Sequence, residues 1–279
     1  MSVRRLDFED HRRDLGDNRY VYAVVSRRAR GLSIGLNLNP DKVCNFDCPY
    51  CQVDRTVPGG SADIDLERLS SELTRLLGWV ADGSLWGQSP FDTAAPALRR
   101  VADLAFAGDG EPTTPAAFPE AARIVRALRD RHGLVVPVRV LTNATMLHRP
   151  RVREGLAYVD EVWAKLDAGT EAYFRVVDGT SFPFGRVLSN LRELAVERPI
   201  TLQSMFLAID GAPASDAELD AWAARIGEIL EAGGRLDAVQ VYTVARRPAD
   251  PRVTPVPADR LEAIADRVRA LGVPVSVHA

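Results

Sequence analysis

Residues 31–51 read GLSIGLNLNPDKVCNFDCPYC. Gly31–Leu38 is an apolar run closed by Asn and Pro, the pattern of a buried strand. The loop behind it carries Cys44, Cys48 and Cys51, separated by three and then two residues. These are all three cysteines of a 279-residue chain, gathered within eight positions. An odd count in so short a stretch is no disulfide framework. A tight loop at this spacing can turn three thiolates toward one centre, and soft sulfur ligands select iron–sulfur clusters, zinc or cuprous copper. A structural zinc site normally takes four protein ligands. The fourth would have to be His11, His132, His148, His278 or a carboxylate such as Asp47, and no histidine stands at zinc-finger spacing. A cubane held by three cysteines instead leaves one iron open to a substrate or cofactor.

Working outward, apolar strands alternate with amphipathic helices. Asp65–Val80 places Leu66, Leu69, Leu73, Leu76 and Leu77 at helical spacing. Leu104–Ala107, Val135–Leu141, Val159–Leu166, Ile200–Ile209, Leu236–Thr243 and Val273–His278 read as strands. Pro119–Arg129, Phe184–Glu197, Asp216–Glu231 and Ala258–Ala270 read as helices, and residues 81–98 as loop and turn. Alternation of this kind indicates parallel βα units. About six units precede the last strand, too few for a closed eight-unit barrel. The expectation is an α/β fold with a mostly parallel sheet in a partial (βα)6 TIM-like barrel. A single domain spans 31–279, and residues 1–30 form an N-terminal extension packed on the core.

Composition narrows the function classes. The chain is 46% hydrophobic and 26% charged, which argues against global disorder. No secretory signal or membrane-spanning run is present, so the expected location is the cytoplasm, where thiols stay reduced. A net charge of −3 is not that of a protein coated for nucleic acid. Residues 1–30 are a local exception, with eight arginines against five acids. They are either a solvated extension or a phosphate-facing patch, and the second reading makes the chain an RNA-binding module.

Ligands in α/β folds collect beyond the carboxyl ends of the strands, and the unusual residues of this chain follow strands. Gly108–Pro112 reads GDGEP, where two glycines permit a sharp turn and Glu111 offers an anionic acceptor. Thr142 and Asn143 end the next strand. Lys165 and Asp167, in WAKLDAGT, share a face and form a candidate ion pair lining a cavity. Lys165 is a candidate nucleophile or a carboxylate-binding group. Gln203, and Tyr242 with its face partner Gln240, put polar groups on otherwise apolar strands. Arg246 and Arg247 follow the last of these strands, suited to a carboxylate or a phosphate.

The CxxxCxxC spacing, with Tyr50 before the last cysteine, resembles the signature of the radical S-adenosylmethionine superfamily. The resemblance implies a [4Fe–4S] cluster on Cys44, Cys48 and Cys51 whose open iron binds the amino and carboxylate groups of S-adenosyl-L-methionine. Reductive cleavage then gives a 5′-deoxyadenosyl radical that abstracts hydrogen from a substrate. It places Tyr50 beside the adenine. GDGEP is similar to the family's Gly-Gly-Glu segment, with Asp109 where the first paired glycine stands and Gly108 one place earlier. Asp109 and Gly110 would then meet the methionine amino group through backbone carbonyls, with Glu111 orienting it. TNAT is similar to a strand-end Thr-Asn-Gly, Ala144 replacing the glycine. Cofactor-binding candidates are therefore Tyr50, Gly108, Asp109, Gly110, Glu111, Thr142, Asn143, Lys165, Gln203 and Tyr242. Catalytic candidates are Lys165, Asp167 and Arg246.

Closer similarity, carried by NLNPDKVCNFDCPYCQVDR, GDGEP, TNAT, KLDAGT and YTVARRP, is to a compact group related to the wyosine tRNA-base synthetases. Those enzymes use a second cluster with its own cysteines, and this sequence has no further cysteine to hold one. The expected activity is thus a radical enzyme acting on a small-molecule or nucleoside substrate, served by a reductant protein such as flavodoxin or ferredoxin. A tRNA-base-modifying enzyme and a non-catalytic iron–sulfur or zinc domain are the alternatives.

Overall fold

In the computed structural model, the described residues are 6, 7, 13, 15–246, 248 and 250–279. The fold is α/β, with an open, mostly parallel eight-stranded sheet and a separate three-stranded one, the strand arrangement of a partial barrel. The chain forms two compact units, residues 1–43, 59–140 and 150–160 in the first and 44–58, 141–149 and 161–279 in the second. The chain passes between them repeatedly, so no single linker divides it.

In the first unit, β1 (Val21–Ser26) runs antiparallel to β2 (Gly31–Leu36), in register from Val21 opposite Leu36 to Ser26 opposite Gly31. Strand β3 (Val101–Phe106) is parallel to β2, and β4 (Val138–Thr142) starts parallel to β3. All six residues of β2 are buried, as a strand covered on both faces requires. Helix α1 (Leu66–Ala81) buries Leu69, Leu73, Leu76 and Leu77, while Leu66 is only half-buried. Asp65 caps it by accepting from the Arg68 N–H at 2.9 Å. Helices α2 (Phe118–Arg131) and α3 (Pro150–Leu156) complete the unit.

Strand β1 lies inside residues 1–30, the segment expected as an N-terminal extension. Its start is held by Glu72 of α1, whose buried carboxylate accepts from the N–H groups of Arg19, Tyr20 and Val21 at 2.8, 2.9 and 3.0 Å. One carboxylate thus satisfies three backbone N–H groups at the start of β1.

In the second unit, β5 (Glu161–Lys165), β6 (Ile200–Met205), β9 (Leu236–Tyr242) and β11 (Val275–His278) are parallel. Helices α4 (Glu171–Val177), α5 (Phe184–Glu197), α6 (Asp216–Glu231) and α7 (Ala258–Arg269) accompany them. Ile200–Ile209, expected as one strand, is two. At Phe206 the chain leaves β6, the ring packing edge-on to Trp222 at 5.0 Å. It continues as β7 (Leu207–Ile209), which pairs with β8 (Ala212–Pro213) and β10 (Val253–Pro255). Helices α3 and α4, each seven residues long, are too short for a readable apolar period. Among the described residues no helix is long and apolar enough to cross a membrane.

Candidate functional site

The cysteine loop belongs to the second unit and is held there by polar contacts of its own residues. Asn45 donates to Thr145 Oγ1 at 2.7 Å and accepts from Asn143 Nδ2 at 2.7 Å. Thr145 in turn donates to Asn143 Oδ1, closing a three-membered ring of short side chains. Thr180 donates to the Asn45 carbonyl at 3.0 Å, and the Asp47 N–H donates to the Asp178 carbonyl at 3.2 Å. Thr142 Oγ1 accepts from the Ala144 N–H, bending the strand end into the turn where Ala144 takes φ +64°. Thr142 and Asn143 therefore brace the loop in this structure.

The three thiols are half-buried and face different partners. Cys44 Sγ lies 4.0 Å from Asn45 Oδ1. Cys51 Sγ accepts from Arg55 at 3.2 Å. Cys48 Sγ accepts from Lys165 Nζ at 2.9 Å. Burial pushes the Cys48 thiol up to about 12 against the pull of Lys165.

Lys165, the last residue of β5, is the hub of this region. Its Nζ lies 2.6 Å from Asp178 Oδ1 and 3.4 Å from Asp167 Oδ2. It also sits over the rings of Tyr50 and Phe46, at 4.7 and 5.1 Å from their centroids. Burial by itself would lower the amine, but the charges of Asp178, Cys48 and Asp167 override it and hold Lys165 well above the usual lysine range. The expected Lys165–Asp167 pair is present, but the closer anion is Asp178. Burial pushes that carboxyl up to about 7, opposed by Lys165. Asp178 was not singled out from the sequence; its only local mark is the following glycine in VVDGT. Asp167 Oδ2 accepts from the Tyr50 hydroxyl, and its other oxygen accepts from the Met205 N–H at 2.8 Å.

Gln203 donates to Gln240 Oε1 at 2.8 Å across β6 and β9, both side chains buried. Ser204 points to the opposite face, where its hydroxyl donates to the Leu166 carbonyl and accepts from Trp222 Nε1. Tyr242 is half-buried on β9. Arg246 donates to Gln52 Oε1 at 2.7 Å, directly behind Cys51. Arg247 lies outside the described residues, as do His11 and part of the basic stretch 1–30.

GDGEP belongs to the first unit. Asp109 is paired with Arg13 and accepts from Asn37 Nδ2 at 2.8 Å. A side chain at Gly108 would strike Asn37 Oδ1 at 2.3 Å, and one at Gly110 would strike the Val43 carbonyl at 2.1 Å, so both positions require glycine. Glu111 is buried and accepts from the Thr113 N–H at 3.1 Å and from its hydroxyl. Glu111 thus caps its own turn.

The donor set fits a thiolate-held cluster in kind. Three sulfurs share one anchored loop, and two of them stand beside cations able to balance thiolate charge. Among the described residues no three His, Cys, Asp or Glu side chains converge on one ion, so the sulfurs face separate partners and not a common point.

No family model matches the chain. Over 166 residues it is 28% identical to the UPF0026 protein MJ1312 of Methanocaldococcus jannaschii, a match covering 57% of this chain and 43% of that one. It is 26% identical over 172 residues to a protein named GTPase Obg of Brachyspira hyodysenteriae, covering 61% of this chain and 22% of that one. The UPF0026 protein slr1464 of Synechocystis is 28% identical over 156 residues, covering 53% and 48%. The chain thus spans less than half the length of each of these relatives. Among solved structures, TYW1 with a lysine-pyruvate adduct bound superposes with a TM-score of 0.52 at 12% identity, covering 90% of this chain and 84% of that one. A domain of pyruvate-formate lyase-activating enzyme from Bacteroides vulgatus gives a TM-score of 0.48 at 12% identity, over 63% of this chain and 98% of that one. The fold of this chain resembles that of the radical S-adenosylmethionine superfamily, to which the cysteine spacing also points.

Proposed function

We propose that the chain is a radical S-adenosylmethionine enzyme that modifies a base in RNA, tRNA being the first candidate. The observation that carries this reading is the placement of a motif sulfur, Cys48 Sγ, 2.9 Å from the Lys165 amine. The chain has 35 Lys and Arg residues, of which only Lys42 and Lys165 are lysines. A sequence that uses arginine at nearly every other cationic position keeps an amine at this half-buried point. An amine can lose its proton and attack a carbonyl, which a guanidinium cannot.

Cys44, Cys48 and Cys51 would hold a [4Fe–4S] cluster, with S-adenosyl-L-methionine as its partner. When bound, the pair supplies the 5′-deoxyadenosyl radical that removes hydrogen from substrate, with a flavodoxin or ferredoxin providing the electron. The chain's own residues then have separable tasks. Asp178 and Asp167 hold the Lys165 ammonium in place, and Asp178 is the nearer acceptor for its proton. Tyr50 and Phe46 cover the amine and exclude water. Likeness of fold to the tRNA-modifying TYW1 supports the base-modifying reading over an unassigned small molecule. The lysine-pyruvate adduct bound in that TYW1 structure supports Lys165 as the residue that would hold a carbonyl co-substrate here, as an imine formed with loss of water. Such chemistry belongs in the reducing cytoplasm.

The test is anaerobic reconstitution of the full chain. It should take up about four irons and four sulfides and, with dithionite and S-adenosyl-L-methionine, release 5′-deoxyadenosine. Cys48→Ala should lose both. Mass spectrometry of tRNA nucleosides from a deletion strain should show a missing modified base. Zinc without iron overturns the enzyme reading, and an unchanged nucleoside profile overturns the RNA substrate.

A further inference from the structure

A second polar site lies in the second unit. A cavity of about 630 Å³ is lined by His148, Arg149, Phe182, Gly185, Arg186 and Ser189, among others. It lies between the segment that follows β4 and the start of α5. The Arg149 and Arg186 side chains are exposed, and neither has an ion pair or a side-chain hydrogen bond among the described residues. That is unusual in this chain, where most described arginines are tied to a carboxylate or a carbonyl. His148 Nδ1 is buried without a hydrogen-bond partner. Burial, followed by the charges of Arg149 and Arg186, holds the ring below the usual imidazole range. The cap residue of α5, Pro183, offers no side chain to the first-turn N–H groups, of which that of Arg186 is taken by the Pro183 carbonyl at 3.0 Å. The carboxylate that acts on His148, Glu193, is engaged by the Ser189 hydroxyl at 3.0 Å.

We propose that this cavity binds a phosphate group. Two unpaired guanidiniums, an imidazole nitrogen lacking a partner and the open first turn of α5 are complementary to several oxygens of one anion. A carboxylate would leave part of that donor set unused. The segment after β4 also holds the cysteine loop, and α5 braces that segment. Asn190 of α5 donates to the Ala144 and Thr145 carbonyls at 2.8 and 3.1 Å, and Thr145 and Asn143 hold Asn45. A phosphate seated here is therefore fixed to the elements that carry the sulfurs, which suits an anchor for a phosphorylated substrate. The site does not depend on the radical reaction, and its test uses neither reductant nor turnover.

The experiment measures binding to the reconstituted full chain of two probes, inorganic phosphate and an unmodified tRNA transcript. The variants are R149A, R186A, the double R149A/R186A and the control R192A, an exposed arginine of α5 outside the cavity lining. The double variant should weaken at least one probe by about tenfold or more, each single variant should weaken it in part, and R192A should leave it unchanged. Loss for phosphate alone assigns the site to a free phosphorylated small molecule; loss for tRNA assigns it to an RNA backbone. Retention of both affinities in the double variant overturns the proposal, as does an equal loss in R192A, which would mark general charge attraction. Should the double variant not fold, the two singles decide by the same criterion.

Discussion

Lys165 Nζ lies 2.6 Å from Asp178 Oδ1, joining the end of β5 to the residue that closes α4. Asp178 is buried and Lys165 half-buried, and Cys48 of the cysteine loop shares the amine at 2.9 Å. One ammonium thus ties together a strand, a helix end and the loop that carries the sulfurs.

Breaking that pair should be costly. Asp178→Asn removes the closest counter-charge and leaves a half-buried ammonium with Asp167 at 3.4 Å. Loss of one partner of a buried ion pair costs about 3–5 kcal/mol. Urea unfolding of the metal-free chain should show a decrease of that order, and a change under about 1 kcal/mol would mean that the pair behaves as a surface one.

Cys48 should be the slowest of the three cysteines to alkylate in the metal-free, reduced chain. Its thiol is raised to about 12, so near neutrality the reactive thiolate is scarce. The sign is set by proton loss, so its rate should climb with pH well beyond the usual thiol range. Peptide mass spectrometry after an iodoacetamide pulse reads the three sites separately. Equal rates at Cys44, Cys48 and Cys51 would contradict the buried environment.

Asn45→Ala should loosen the loop without unfolding the unit. Asn45 bonds Thr145 and Asn143 through its side chain, and its carbonyl accepts from Thr180 in any variant. Side chains that orient ligating residues are worth about 10–100-fold in metal affinity. Iron should leave the reconstituted variant faster under chelator challenge, with the unfolding midpoint nearly unchanged. Wild-type retention of iron would show that this ring of side chains does not hold the loop.

Two glycines should respond in opposite directions to alanine. Gly179 takes φ +57°, and an added Cβ would lie 2.0 Å from the Asp47 carbonyl, next to Cys48. Gly179→Ala should therefore destabilise the fold and displace the cysteine loop. Gly227, inside α6, has nothing within 4 Å of the added carbon. Gly227→Ala should stabilise by about 0.5–1 kcal/mol through helix propensity. Thermal unfolding of both variants checks the pair of signs.

Much of the fold was legible because burial leaves a periodic trace. The α1 leucines and the continuous apolar run of β2 marked their elements by side-chain period alone, and α5 and α6 were read at the bounds they occupy. Strand β1 was obscured by the arginines around it, since charge count says nothing about backbone pairing. The break at Phe206 was hidden because the apolar run continues through it from β6 into β7, while the Phe206 ring packs on Trp222. At the site, the cysteines, Lys165 and Asp167 stood out by type and spacing, and Tyr50 through the family resemblance. Asp178 did not, because an aspartate before a glycine looks like any turn.

The sequence by itself determined the local facts: three sulfurs on one short loop behind a buried strand, βα alternation, and glycines where backbone must pass close to backbone. These follow from spacing and sterics within a few residues. Only the tertiary structure decided which charges meet. Lys165, Asp178 and Cys48 lie far apart along the chain, and Asn45 finds its partners on the turn after β4. Such contacts exist only after hydrophobic burial has docked the elements, when each buried charge must find the partner that offsets its lost water.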